Sequence, residues 1–164
     1  MSNVVLVTGG FDPIHKGHIE YFKEAKLLGD KLIVGLNSDH WLTRKKGKPF
    51  MDLENRAMVI QSLNMVDEVI IFNDEDNTSC HAIHQALQFY DEVIFANGGD
   101  RLISNIPEYE KYSNDERVKF VCNVGGDKTE SSSWLLDKWK SPKTLRKWGY
   151  YKDLYLGKGF KVKE

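Results

Sequence analysis

Gly9-Gly10-Phe11-Asp12-Pro13-Ile14-His15-Lys16-Gly17-His18 decides the fold, because of what stands on either side of it. Before it runs Val4-Val5-Leu6-Val7, and after it Ile19, Phe22, Ala25 and Leu28 recur at helical spacing. A short continuous β-branched run marks a strand buried on both faces of a parallel sheet, and the spacing that follows marks an amphipathic helix. The order is strand, loop, helix, and glycines in such a loop let the main chain approach a ligand more closely than any side chain permits. A helix start attracts anions through its free N–H groups and dipole, so phosphate is the expected ligand. His15 and His18, three apart at that start, are expected to turn their rings to one side. Gly17 between them is expected to leave room for a phosphate oxygen against the main chain. Two donors on one phosphate would stabilise the charge that builds as a bond to phosphorus breaks.

Working outward, Gly29-Asp30 ends the first helix and residues 31–36 read as a second strand. So short a connection requires a βαβ unit with parallel strands. Asn37-Ser38-Asp39 then falls at the strand end where open α/β sheets bind ligands. Residues 40–50 read as a solvated polar connection carrying Arg44, Lys45, Lys46 and Lys48. Asp52 caps a helix whose inner face is Leu53, Ala57, Ile60 and Leu63. Residues 66–72 are a third strand, and Cys80, Ile83, Leu87 and Tyr90 mark the face of the next helix. A fourth strand over 92–96 runs into Asn97-Gly98-Gly99-Asp100-Arg101, a second glycine-rich loop at the same sheet edge. Residues 102–117 read either as a mobile cover or as a surface excursion. Residues 118–124 form a fifth strand, and Ser131-Ser132-Ser133 lead into a helix near Trp134, a second helix start able to hold phosphate. The expected architecture is a five-stranded parallel α/β sheet with helices on both faces, in a domain over 1–140.

Composition bounds the function. The chain has 164 residues, 41% hydrophobic and 29% charged, with net charge −1 and a pI of about 6.5. Nothing there supports a nucleic-acid-binding surface. No apolar run reaches bilayer length and the first strand begins without a basic leader, so a cytoplasmic protein with no membrane partner is expected. Cys80 and Cys122 stand far apart, which argues against a disulfide or a thiolate metal site. His81 and His84 are three apart without a third ligand, so they read as surface or packing residues, and no metal site built by the protein is expected.

The stretch GGFDPIHKGH resembles the nucleotidyltransferase superfamily marked by HxGH. It is most similar to the branch holding glycerol-3-phosphate cytidylyltransferase and the adenylyltransferase domain of the ADP-heptose synthase. That resemblance implies a Rossmann-like fold of the HUP type. It implies transfer of CMP or AMP from CTP or ATP to a sugar or polyol phosphate, with release of pyrophosphate. His15, His18 and Lys128 would be catalytic, with Lys128 standing where the family has an arginine. The nucleotide would be held by Gly9, Gly10, Phe11, Asp12, Gly17, Gly99, Asp100, Thr129, Ser131 and Ser132 beside the two histidines. The acceptor would meet Asp39, Lys45, Lys46, Arg56 of the Glu54-Asn55-Arg56 match, and Arg101, which replaces an aromatic residue frequent in relatives. Magnesium would be held mainly by the nucleotide phosphates. The alternative from another class is a catalytically impaired nucleotide-binding module serving as a sensor or targeting domain, a reading that rests on Lys128 and the altered acceptor loop.

From Ser141-Pro142 the pattern changes to alternating aromatic and polar residues, with Gly157-Lys158-Gly159 as a hairpin turn. This tail, 141–164, resembles the opening strands of the cupin domain of bifunctional mannose-6-phosphate isomerases. Two readings are open: a natural chain continuing past Glu164 into a cupin domain, or a complete protein whose C-terminal hairpin packs back on its own domain. A strand pair cut there would expose edge groups able to recruit a second copy, giving a homodimer.

Overall fold

Strand β1 (Asn3–Gly9) alternates its side chains between two apolar layers, Val4 and Leu6 into one and Val5 and Val7 into the other, all four fully buried. Such a strand belongs in the middle of a sheet. In the computed structural model, which describes residues 2–128 and 130–140, β1 pairs in parallel with β2 (Lys31–Leu36) on one side and β4 (Glu92–Gly98) on the other. β3 (Glu68–Ile71) lies outside β2 and β5 (Val118–Val124) outside β4, giving the order β3-β2-β1-β4-β5. Helices α1 (Lys16–Lys26) and α3 (Leu53–Gln61) cover one face, bringing Phe22, Ala25 and Ile60 against Val5, Val7, Leu32 and Val34. On the other face α4 (Cys80–Leu87) brings Cys80, Ile83 and Ala86 against Val4, Leu6 and Phe95. Each large side chain buried this way contributes about 1.5–3 kcal/mol. This is the expected Rossmann-like α/β fold, with its order reversing beside β1 at the edge where the loops gather.

Two segments differ from their sequence reading. Residues 40–50 are not a plain loop: Asp39–Lys46 form helix α2, started by Ser38, whose Oγ accepts the Trp41 N–H at 3.0 Å, and ended by Gly47 at φ 93°. Only Leu42 of α2 is buried, so no apolar period announces it, and its caps carry the signal instead. Residues 102–117 are neither cover nor excursion. They hold a 3-10 turn at Ile103–Asn105 and helix α5 (Pro107–Tyr112), and they send Ile106 and Tyr112 into the α4-side core.

Helix α6 (Ser132–Lys140) begins two residues before the expected point. The described residues from Ser133 to Lys140 fall in a second unit, apart from residues up to Ser132. The tail with its hairpin and cupin likeness, 141–164, lies outside the described residues, as does Thr129. Among the described residues no helix is long and apolar enough to cross a membrane. Cys80 and Cys122 are both free thiols. His81 and His84, read as surface or packing residues, are exposed on α4.

Candidate active site

The two histidines close the start of α1 on each other. His15 is the N-cap, and its Nδ1 accepts the Gly17 N–H at 3.1 Å, while His18 Nδ1 accepts the His15 N–H at 3.3 Å. This is a capping box built from imidazoles, with the rings stacked at 3.7 Å between centroids. Since each Nδ1 accepts, the proton of each neutral ring is assigned to Nε2. Burial, then the charge of His15, pushes His18 down to about 3. Burial also lowers the His15 pKa; Glu130 works against that, and Lys128 and Lys16 add to it. Near neutral pH the site therefore offers two uncharged Nε2–H donors held by the main chain of one helix start.

The pH dependence of stability follows from His18. An unfolded histidine takes up its proton near 6.5 and the folded His18 near 3. As pH falls below 6.5 the unfolded chain therefore binds the extra proton, and stability is lost. Urea unfolding at pH 6.5 and 5 is expected to show a loss of about 2 kcal/mol from this group at most. His18→Asn, which keeps an acceptor for the His15 N–H, should lose less over the same interval. Equal losses in the two proteins would mean that His18 protonates normally when folded.

The glycines serve the chain's own side chains. A Cβ on Gly17 would stand 2.9 Å from His15 Cε1, so the space expected for a phosphate oxygen holds the imidazole. A Cβ on Gly9 would meet the Phe11 ring at 2.9 Å, and one on Gly10 would meet Leu42 Cδ2 at 2.7 Å. Phe11, expected at the nucleotide, is buried instead, with its ring edge-on to His18 at 5.0 Å and to Phe22 at 4.9 Å. It reaches that place with φ 49°, a backbone region few non-glycine residues adopt.

Three expected contact residues are committed to the protein itself. The Asp12 carboxylate, buried, accepts the N–H groups of Phe50 at 2.7 Å and Met51 at 2.6 Å and pairs with Lys46 at 2.9 Å. Arg56, 1% exposed, donates to the carbonyls of Met51, Gly10 and Asn37 and to Asp39 at 2.7 Å. Asp39 also accepts the Leu53 N–H at 3.2 Å. The expected contacts of Asp12 with the nucleotide and of Arg56 with the acceptor thus fall on side chains that already hold internal partners. Burial with the donors and acceptors of neighbouring loops makes them the ties that hold β1, β2 and the α3 start in register. Asp39, 40% exposed at its side chain, shares that network from its rim.

The cations separate in the same way. Lys46 is turned to Asp12, whereas Lys45 lies over the Trp41 ring at 4.6 Å. Partial desolvation lowers the Lys45 pKa first, then the charges of Arg101, Lys46 and Lys128. Helix α2 and the loops after β4 and β5 thus bring Arg101 and Lys128 within electrostatic reach of Lys45, and Lys128 within reach of His15. Gly99, at φ 67°, faces open space, and Asp100 and Arg101 are exposed on that loop. Ser132 Oγ donates to the Pro13 carbonyl at 2.8 Å, tying the serine run to the histidine loop, and Ser131 is buried beside it in sequence.

Sequence reasoning passed over Trp41, which stands 3.6 Å from where a Gly10 Cβ would be, and Asp74, which accepts the Ser38 N–H at 2.7 Å and Oγ–H at 2.8 Å. Neither lies in a motif. Asn37 N–H bonds the Gly9 carbonyl at 3.0 Å, which places the end of β2 beside the histidine loop as its position in the sequence suggested.

The bifunctional protein HldE of Helicobacter pylori and that of Helicobacter acinonychis are each 37% identical to this chain over 141 residues. The match takes in 85% of this chain and 28% of theirs, so the chain spans under a third of these relatives. Among solved structures, the lipopolysaccharide core biosynthesis protein from Thermoplasma volcanium is 30% identical with a TM-score of 0.60, covering 75% of this chain and 97% of that one. Residues 6–149 match the family model described as cytidylyltransferase-like, and with the histidine-capped helix start at the C-terminal edge of its sheet the chain belongs to that family.

Proposed function

We propose that this chain transfers CMP or AMP from CTP or ATP to the phosphate of a sugar or polyol, releasing pyrophosphate. The observation that carries the reading is the reciprocal capping of His15 and His18, which directs both imidazole protons to Nε2 beside a cluster of cations from helix α2 and two loops. A phosphate monoester is largely dianionic at pH 7, its second pKa being about 6, so the acceptor needs no general base. What remains is to align the acceptor oxygen with the α-phosphorus and to stabilise the charge moving onto pyrophosphate. His15 and His18 donate from Nε2 to the triphosphate as that charge grows, with Lys128 beside them. Lys45 and Arg101 take the acceptor's phosphate, and Lys45 leaves the Trp41 face to do so. Magnesium, carried in on the nucleotide's own phosphates, supplies further neutralisation. Asp12 is already committed to main-chain amides, so it is not offered as a ligand for that ion.

Four NTPs screened against a panel of sugar and polyol phosphates, read by pyrophosphate release, test the reaction. Turnover is expected with CTP or ATP and one acceptor class. In that pairing Lys45→Ala should raise KM for the acceptor about tenfold while KM for the nucleotide moves little. Nucleotide binding with no pyrophosphate released by any pair would support a sensor or targeting module instead.

A further inference from the structure

Arg44, Lys45 and Lys46 follow one another on α2 and are held in three different ways. Arg44 donates to the Asp74 carbonyl at 2.8 Å, and Lys46 pairs with the buried Asp12 carboxylate at 2.9 Å. Lys45, one turn after Trp41, rests its ammonium over the Trp41 ring at 4.6 Å from the centroid. Among the described residues no carboxylate lies in ion-pair range of Lys45. These partners differ in strength, and that decides which cation is free to move. An indole face holds an ammonium weakly where water has access, whereas a phosphate dianion offers it charge-assisted hydrogen bonds. Lys45 is the one a bound phosphate draws away, and the charges of Arg101 and Lys128 within its reach favour an anion at that point. The ring stays behind. Trp41 has its N–H capped by Ser38 Oγ at 3.0 Å, and its half-buried ring sets Cζ3 3.6 Å from where a Gly10 Cβ would be. One edge therefore abuts the histidine loop while the face loses its cover.

We infer that the Trp41 face, once Lys45 leaves it, is the platform on which the carbon skeleton of the phosphorylated acceptor lies. The inference deepens the proposed transfer reaction and rests on it for the acceptor's phosphate. An indole face bared to water is unfavourable, and inorganic phosphate has nothing with which to cover it. A sugar or polyol phosphate carries its C–H groups one ester bond from the phosphate, so with the phosphate on Lys45 they reach the ring beside that lysine and bury its face again. A nucleobase suits this place less well, because the ribose separates it from the phosphates that the cations hold. Trp41 is then a specificity residue that favours phosphate esters over inorganic phosphate, set apart from the histidines that handle the triphosphate.

Calorimetric titration of the whole chain at about pH 8, where phosphate and its esters are mostly dianionic, tests this without requiring turnover. The probes are inorganic phosphate, glycerol 3-phosphate, mannose 1-phosphate and a heptose 1-phosphate, with CTP and ATP alongside. At least one ester is expected to bind about tenfold or more tighter than inorganic phosphate. Trp41→Ala should cut that preference about fivefold or more by weakening the ester, while inorganic phosphate, which no longer competes with the ring for Lys45, binds at least as tightly as before. Trp41→Phe keeps an aromatic face and should retain most of the preference. Lys45→Ala should weaken inorganic phosphate and esters by about the same factor and leave the preference in place, since the ring remains. The platform is overturned by any of four results: no preference in the native chain, an equal loss of all phosphates in Trp41→Ala, a Trp41→Phe preference as low as that of Trp41→Ala, or a loss confined to CTP or ATP, which would give the face to a base. A preference that vanishes in Trp41→Ala, in a chain releasing no pyrophosphate with any pair, would sink the transfer reaction and leave the platform standing.

Discussion

His18→Ala is expected to lower kcat by about 100- to 1,000-fold, the cost of removing one aimed donor from a site of developing charge, while KM for the nucleotide changes little. The asymmetry follows from where the donor acts. A neutral Nε2–H contributes modestly to binding a triphosphate already surrounded by cations, and more once negative charge moves onto pyrophosphate. His15 needs a different substitution, because His15→Ala also removes the N-cap acceptor of α1, worth about 1 kcal/mol of stability. His15→Asn retains a capping oxygen and loses the Nε2 donor, so its kcat should fall by a similar factor with the melting temperature nearly unchanged. The double variant should be little slower than either single one, since the stacked rings act as a unit. Near-native kcat in both single variants would remove the catalytic assignment.

What the sequence disclosed here was local or periodic. Val4 to Val7 announced a central strand because burial on both faces leaves an unbroken apolar run, and the structure puts β1 in the middle of five strands. His15 and His18 were legible because their partners lie within three residues, in the same turn of helix. The internal partners of Arg56 were not legible because they lie far off in sequence: the Gly10 carbonyl is 46 residues away and the Asn37 carbonyl 19. A motif gives the residue type and is silent on which way the side chain turns. The partners of Asp12 were hidden in the same manner, its two amide donors being 38 and 39 residues downstream. The glycines were read as space for a ligand, whereas Phe11, Leu42 and His15 occupy that space, a distinction only the folded positions of other side chains decide. Helix α2 escaped notice because it buries one residue and so has no period to find.

Arg56→Met should be the most damaging single change to stability, about 3–5 kcal/mol. The guanidinium has no exposed side-chain surface and donates to three carbonyls, those of Gly10, Asn37 and Met51, as well as to Asp39. Methionine fills much of the volume and satisfies none of these acceptors, so each main-chain oxygen must stay unpaired or pull its loop towards water. Those carbonyls belong to the histidine loop, to the end of β2 and to the segment entering α3, and the change therefore loosens the site together with the fold. A domain of this size has about 5–15 kcal/mol to lose, so the variant should populate unfolded or aggregated chain at 37 °C. Arg56→Lys should lie between, because one ammonium reaches at most part of a fork that a planar guanidinium spans. Urea midpoints order the three proteins: native, then lysine, then methionine. A methionine midpoint within error of native would show that the buried fork is dispensable, and a direct role for Arg56 at the acceptor would return to consideration.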